Sequence, residues 1–443
     1  MEQSLDIKIT PCGLIKFALP TVIAQIFMGI YSIVDGIFVS NVIGTDALSA
    51  VNIVMPYVMV VLAFGVMIGT GGNAIISVQL GEGKNKEAKE NFTLLCGVCL
   101  IGCSLVSLFS VIFRKQLLVL LGASDVLMGY CMDYALPLFC VAPLALLGMA
   151  LQSFFIANGT PGLGMGLSIA GGVVNIFLDW LLISKFGLGT TGAALATGIG
   201  YSVPGLLGIV YFAVNKKGNL HYVFPKMRKA VIAKAITNGS SEMVAMMSSG
   251  ITTALMNNVV MRLRGKEGVA AISILIYAMS LLTSGYMGYA MGVAPITSFN
   301  YGAGNREKLK KENRLNFMII AAAQIVMYLV GLLLHGVIIS IYAKSGSAVF
   351  EMAENGYYIF SIAFLLMGFN MYTSSLFTAL GNGKISALIS FFRGLVFLSI
   401  FVYALSALFG LNGLFAAMPA AEVCGVVLSF YFLRKKGKVY GIA

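Results

Sequence analysis

One recurrence constrains this chain more than anything else: apolar stretches of about 20 residues follow one another along its whole length, and the few charges gather in short runs between them. A helix needs about 20 residues to cross roughly 30 Å of hydrocarbon, and inside the bilayer its backbone groups must satisfy one another. Hydrophobic residues make up 59% of the chain and charged residues 10%, where a soluble domain carries about 25% charge. At about 35 residues per span with its loop, the 443 residues hold about twelve spans and leave no room for a sizeable aqueous domain. The pattern predicts an all-α polytopic membrane protein, with helices near 14–39, 51–77, 92–113, 128–156, 162–184, 191–214, 232–261, 269–299, 315–342, 357–380, 385–409 and 411–433.

In a soluble protein a net charge of +12 would suggest nucleic acid, but here the placement of the charge decides its meaning. With both termini inside, twenty of the 29 Lys and Arg fall on the inner side, seven fall in outer loops, and Lys16 and Arg393 lie within spans. Basic residues concentrate on the cytoplasmic side of membrane proteins, so both termini are expected there and no nucleic-acid partner is implied. The first apolar run is too long for a signal-peptide core and has no small-residue cleavage site, so it reads as a retained span. Of the seven cysteines, Cys96, Cys99 and Cys103 share one helix face, but no histidine lies near them and structural zinc needs four ligands. Small packing residues are the better account of them.

The chain also resembles itself at an offset of about 220 residues. Gly81-Glu82-Gly83 followed by Lys89 recurs as Gly302-Ala303-Gly304 followed by Lys310; Phe155-x-Ala157-x-Gly159 recurs as Phe377-x-Ala379-x-Gly381. Tyr211-Phe212 before Lys216-Lys217-Gly218 recurs as Tyr431-Phe432 before Lys435-Lys436-Gly437. Several anchors in one order and nearly one register predict two homologous six-helix halves. The expected lobes are 1–214 and 236–443, joined by a basic cytoplasmic linker, 215–235. Six is even, so the halves share one orientation and are related by an axis along the membrane normal, a transporter architecture. Gly-rich runs such as Gly69-Thr70-Gly71-Gly72 have neither the Lys-Ser/Thr ending nor the βαβ context of a phosphate loop and read as close-packing surfaces. No ATP hydrolysis is expected.

Each carboxylate inside a bilayer costs about 2.5–3.5 kcal/mol on insertion scales and is a functional candidate. Asp35, Asp179, Glu242 and Glu422 qualify. Counting at 1.5 Å per residue puts Asp35, Asp179 and Thr197 in one layer of the outer leaflet, with Asn175 one turn below Asp179 on the same helix face. Two carboxylates, an amide oxygen and a hydroxyl form a hard-oxygen set for a small cation such as Na+, or a pair able to share a proton. The repeat separates this from a pair of surface caps. Asp35 maps onto Met256, Asn175 onto Phe397, Asp179 onto Phe401 and Thr197 near Met418, so the scaffold itself does not require the polar set.

Glu242, near mid-membrane, either faces a central cavity or bonds to Ser240 or Ser241. Arg393 and Glu422 lie at similar depth and read as an ion pair. With only His221 and His335 present, no histidine-based catalytic cluster is available. Pro20 removes a backbone hydrogen bond in the first helix, which predicts a kink below Asp35.

Phe17-Ala18-Leu19-Pro20, Tyr31-x3-Asp35-Gly36, Gly44 through Ala50, Leu80-Gly81-Glu82-Gly83, Asn175-x3-Asp179 and Gly192-Ala193-Ala194, with the duplicated twelve-helix layout, resemble the multidrug and toxic compound extrusion (MATE) family over essentially the full length. The resemblance implies export of organic cations and other amphipathic compounds in exchange for inward Na+ or H+, without a further cofactor, by a monomeric multi-pass protein of the plasma membrane. It also implies a cation site at Asp35, Asn175, Asp179 and Thr197, and substrate contacts at Tyr31, Gln152 and Glu242. Some family branches carry acids in the second lobe. Glu242 resembles one of these, but the tenth helix here has none. The competing expectations are a lipid-linked precursor flippase of related fold, whose cavity would be more cationic, and a membrane enzyme or receptor. A major-facilitator transporter is disfavoured because Leu80-Gly81-Glu82-Gly83-Lys84 lacks that family's loop pattern.

Overall fold

The computed structural model describes residues 5–42, 45–216 and 218–442, with 31–42, 45, 46 and 48 described in backbone only. Among the described residues there is no strand. Ten helical stretches are long and apolar enough to cross a membrane, and two of them, Lys229–Gly302 and Gly383–Tyr440, are double length. Each of these breaks at a glycine of positive φ, Gly265 at 62° and Gly410 at 60°, a conformation an L side chain rarely adopts. Breaking there yields twelve membrane helices, as the apolar pattern predicts.

The first six are α1 (Pro11–Val42), α2 (Thr45–Gly81), α3 (Asn85–Ile112), α4 (Met128–Ala157), α5 (Pro161–Asp179, extended by a π-helical turn Trp180–Lys185) and α6 (Gly189–Val214). The second six are α7 (229–264), α8 (266–302), α9 (Arg306–Ser340), α10 (Ala348–Ala379), α11 (383–409) and α12 (411–440). Several extend beyond the apolar runs: α3 begins at Asn85 and α9 at Arg306, well before the expected 92 and 315. Helical hydrogen bonding does not end where the hydrocarbon does, and the added turns carry charges such as Glu87, Lys89, Lys308 and Lys310 that water and headgroups solvate. Asn305 caps α9 by accepting from the Lys308 N–H, and Asn382 caps α11 by accepting from the Ile385 N–H. Outward faces of α3 and α9 expose Ile101, Leu105, Leu329 and Leu333, as a lipid-facing surface requires. Cys96, Cys99 and Cys103 are buried, facing the bundle.

The halves meet along α1, α2, α7 and α8, and the contacts themselves repeat. Gly71 of α2 lies against Gly239 of α7; 221 residues on, Gly292 of α8 lies against Ala18 of α1, where an added Cβ would come within 2.9 Å of the Ala18 Cα. At the ends of α2 and α8 the contact is its own mate: Gly81 touches the Phe299 carbonyl and Gly302 touches the Val78 carbonyl, with both partners displaced by 221. That reciprocity fixes the two-fold axis between α2 and α8, next to the loops on the face that carries the termini. Small residues there let the backbones approach.

Two straps cross the same face. Residues 219–228, before α7, lie over the first half: Leu220 N–H donates to the Asn158 Oδ1 at 2.8 Å, Tyr222 stacks on Phe92 with centroids 5.2 Å apart, and Arg228 pairs with Glu90 at 2.9 Å and Glu87 at 3.6 Å. The N-terminal segment before α1 lies over the second half, where Asp6 pairs with Lys308 at 2.7 Å. Glu87 and Lys308 are repeat mates, so the two crossings use one position with opposite charge.

Candidate functional site

Polar groups inside the bundle fall into three places. The first is the seam between α5 and α6. Glycines at Gly171 and Gly200 let these helices touch: an added Cβ on Gly200 would lie 2.7 Å from the Asn175 Cβ, and one on Gly171 would lie 3.3 Å from the Pro204 ring. This antiparallel register sets Asp179, one turn beyond Asn175, level with Ala196 and Thr197. Asn175 and Asp179 are each 1% exposed and Thr197 is 4% exposed. Both polar atoms of the Asn175 amide and the Thr197 hydroxyl are buried without a hydrogen-bond partner among the described residues. Such groups cost about 1–3 kcal/mol apiece unless something fills the role of partner. α5 passes into its π-helical turn directly after Asp179, a distortion frequent at functional sites. α1 carries Tyr31 and Asp35, whose side chains lie outside the described residues; its Phe27 ring fills the gap left by Gly172 of α5.

Gln152 lies deeper in the same half. It lines a small cavity with Met28, Ser168, Gly200 and Tyr201, and its Nε2 is 3.4 Å from the Ser168 hydroxyl oxygen. Gly200 separates this cavity from Asn175, so Gln152 belongs to the interior that the α5–α6 seam borders. Pro20 sits inside an α1 that remains helical from Pro11 to Val42. Its neighbours Ala18 and Thr21–Val22 press against Gly292 and Gly288 of α8. The lower half of α1 is thus held on both sides of Pro20 by the second half of the protein, and its middle touches α5 through Phe27.

The second place is central. Glu242 of α7 lines a narrow cavity with Thr70, Asn73 and Ser153 from the first half and Ser298 and Thr378 from the second. Neither Ser240 nor Ser241 holds it: the Ser240 hydroxyl donates to the Thr237 carbonyl and Ser241 bonds to Thr378. Glu242 is therefore a cavity acid, the first of the two roles its position allows. Glu422 has the ion-pair role: Arg393 approaches its Oε1 at 3.0 Å, and the Asn370 amide donates to its Oε2 at 2.7 Å. His335 sits at the far end of α9, near Tyr358 and Glu354.

The third place was hidden in the sequence. Glu312, near the start of α9, is 1% exposed and accepts from Thr297 at 2.6 Å and from Asn300 at 2.9 Å. Counted with the five basic residues of 302–314 it looks like part of a charged loop. The available signal was its repeat mate Asn91, an uncharged residue at the corresponding position.

The sequence matches the MatE family twice, over residues 20–181 and 242–404. Multidrug export protein MepA of Staphylococcus saprophyticus is 26% identical over 437 residues, covering 96% of this chain and 94% of that protein. Its namesake in Staphylococcus haemolyticus is 25% identical over 428 residues, with the same coverage. Among solved structures, the outward-facing conformation of a multidrug resistance MATE family transporter superposes with a TM-score of 0.92 at 22% identity, covering 98% of this chain and 97% of that one.

Proposed function

Because the chain belongs to the MatE family, a family of membrane transporters, we propose that it exports amphipathic drug-like compounds, organic cations among them, in exchange for inward Na+ or H+. In this reading it is a monomer of the cell membrane with both termini cytoplasmic, built of lobes 1–214 and 236–443 that rock about the linker 215–235. The similarity to multidrug export proteins along nearly the whole chain supports the substrate class.

The observation that carries the coupling site is the pair of partnerless groups on Asn175, one turn below the Asp179 carboxylate, and on Thr197, level with it. A buried acid beside an amide oxygen and a hydroxyl that both lack partners forms a cradle for a small cation. Asp35 of α1 is the fourth group proposed, and it would bring the upper part of α1 under the control of the ion. A cation neutralises the carboxylates and takes the Asn175 amide oxygen and the Thr197 hydroxyl oxygen as ligands, and α1 yields at Pro20. Drug is released from the cavity at Glu242, with Tyr31 and Gln152 as further contacts. The cavity favours this over flipping of an anionic lipid-linked precursor, because its acid is Glu242 and no Lys or Arg lines it among the described residues.

The test is efflux from membrane vesicles under separately imposed Na+ and pH gradients. At least one gradient should drive export, and Asp179→Asn should abolish the driven component while leaving expression intact. Export that ignores both gradients would remove the antiporter reading.

A further inference from the structure

Glu312 has no part in the mechanism above, and the repeat gives a way to ask what it is for. In the first half, the Asn91 amide donates to the Gln79 Oε1 at 3.0 Å and ties α3 to α2. In the second, 221 residues on, the Asn300 amide donates to the Glu312 Oε2 at 2.9 Å and ties α8 to α9. The clamp is the same, and two amides suffice to make it. The second half places a carboxylate where the scaffold is content with an amide. Among the described residues no Lys, Arg or His pairs with it, although an unpaired buried charge is costly in a membrane protein.

The surroundings diverge in the same direction. Tyr289 donates to Asn316 at 2.7 Å, Asn316 donates to Tyr372 at 3.1 Å, and Tyr372 donates to Asn313 at 3.1 Å. The repeat mates of these four residues are Ile68, Leu95, Ala150 and Phe92, all apolar. Asn300, which holds Glu312, also lines an open pocket on the face of the termini, with Glu82, Arg306, Leu309 and Tyr440. That pocket reaches from the face of the termini to Asn300, the donor to the Glu312 carboxylate.

We propose that Glu312 is a second proton-binding site, set in the C-terminal half between α8 and α9 and loaded through the Asn300 pocket. When it is ionised, Thr297 donates to Oε1 and Asn300 to Oε2. When a proton is added to Oε1, the Glu312 hydroxyl donates to the Thr297 oxygen, and the Thr297 hydroxyl turns to the Val293 carbonyl, 3.4 Å away. Each state is fully hydrogen-bonded, so the proton exchanges without an orphaned group. Facing Glu312 are the Tyr289 phenol of α8 and the Tyr372 phenol of α10, with Arg306 and Glu82 in the pocket beyond Asn300. Asn300 also adjoins Phe299 and Gly302, the contacts that close the two halves. Protonation turns a charge-assisted bond to Asn300 into a neutral one, roughly half as strong, and so loosens the foot of α8 at the axis.

Infrared titration of the full chain in lipid nanodiscs tests this through the C=O band of a protonated carboxyl group. The wild type should show a band that titrates with pH, is lost in Glu312→Gln and persists in Asp179→Asn, a pattern independent of the coupling site proposed above. Glu312→Gln should melt close to the wild type, since Asn91 fills that position with an amide. A band unchanged in Glu312→Gln would overturn the proposal. Should that variant not fold, Thr297→Val keeps the carboxylate and removes a charge-assisted bond from its ionised form but only a weaker neutral bond from its protonated form, so the band should titrate at higher pH; an unmoved titration would overturn the proposal equally.

Discussion

Thr197 and Asn175 show how little a single residue's burial says by itself. Both lie deep in the bundle, and both hold polar atoms with no partner among the described residues, an arrangement that lowers stability unless an ion completes it. Thr197→Val is nearly isosteric and removes the orphaned hydroxyl. It should leave thermal stability without coupling ion unchanged or raise it by about 1 kcal/mol, while weakening ion-driven efflux. A melting curve and a vesicle assay on one preparation read both effects, and a Thr197→Val protein that is clearly destabilised yet fully coupled would contradict the assignment. Glu422 is the contrasting case. It too is a buried acid, but Arg393 and Asn370 occupy its oxygens, and nothing is left to bind.

At the scale of elements, glycines with the same sequence signal play opposite parts. Gly239 of α7 abuts the backbone of α2 at Met67 and Gly71, whereas Gly166 of α5 has nothing within 4 Å of an added Cβ. Gly239→Ala should therefore force α2 and α7 apart and cost about 1–3 kcal/mol, as overpacking does. Gly166→Ala should be neutral or stabilise by about 0.5–1 kcal/mol, because an alanine suits a helix interior better. Unfolding in detergent compares the two, and equal effects would show that the seam is not tightly packed. In the sequence Gly239 stands beside Ser240 and Ser241, and Gly166 stands between Gly164 and Ser168; only the neighbouring helix distinguishes them.

For the whole molecule, the two crossing straps tie each half to the other across the face of the termini, and their ion pairs differ in burial. Glu90 is 4% exposed, so Arg228→Ala leaves a buried carboxylate whose remaining cationic partner among the described residues is the exposed Lys226 at 3.7 Å. That should cost about 1–3 kcal/mol. Asp6 and Lys308 are both well exposed, so Asp6→Ala should change stability by less than about 0.5 kcal/mol. Thermal unfolding of the two variants checks the ordering, and the reverse order would mean that the N-terminal strap is the stronger tie.

The membrane class, the twelve spans and the duplication are legible in the order of residues alone, because hydrocarbon imposes a length and a composition that local reading detects and the repeat keeps its register. That order also singles out Asp35, Asn175, Asp179 and Thr197 as candidates, since depth along a helix is simple counting and the repeat shows which acids the scaffold does not need. Where side chains point and which groups share a partner become visible only once the helices pack. Packing places Glu242 in a cavity rather than on a neighbouring serine, and turns Glu312 from an apparent loop charge into a buried acid. Hydrophobicity is a property of the chain read in order, whereas hydrogen-bond satisfaction depends on residues such as Thr297 and Glu312, which lie on different helices and meet only when those helices pack.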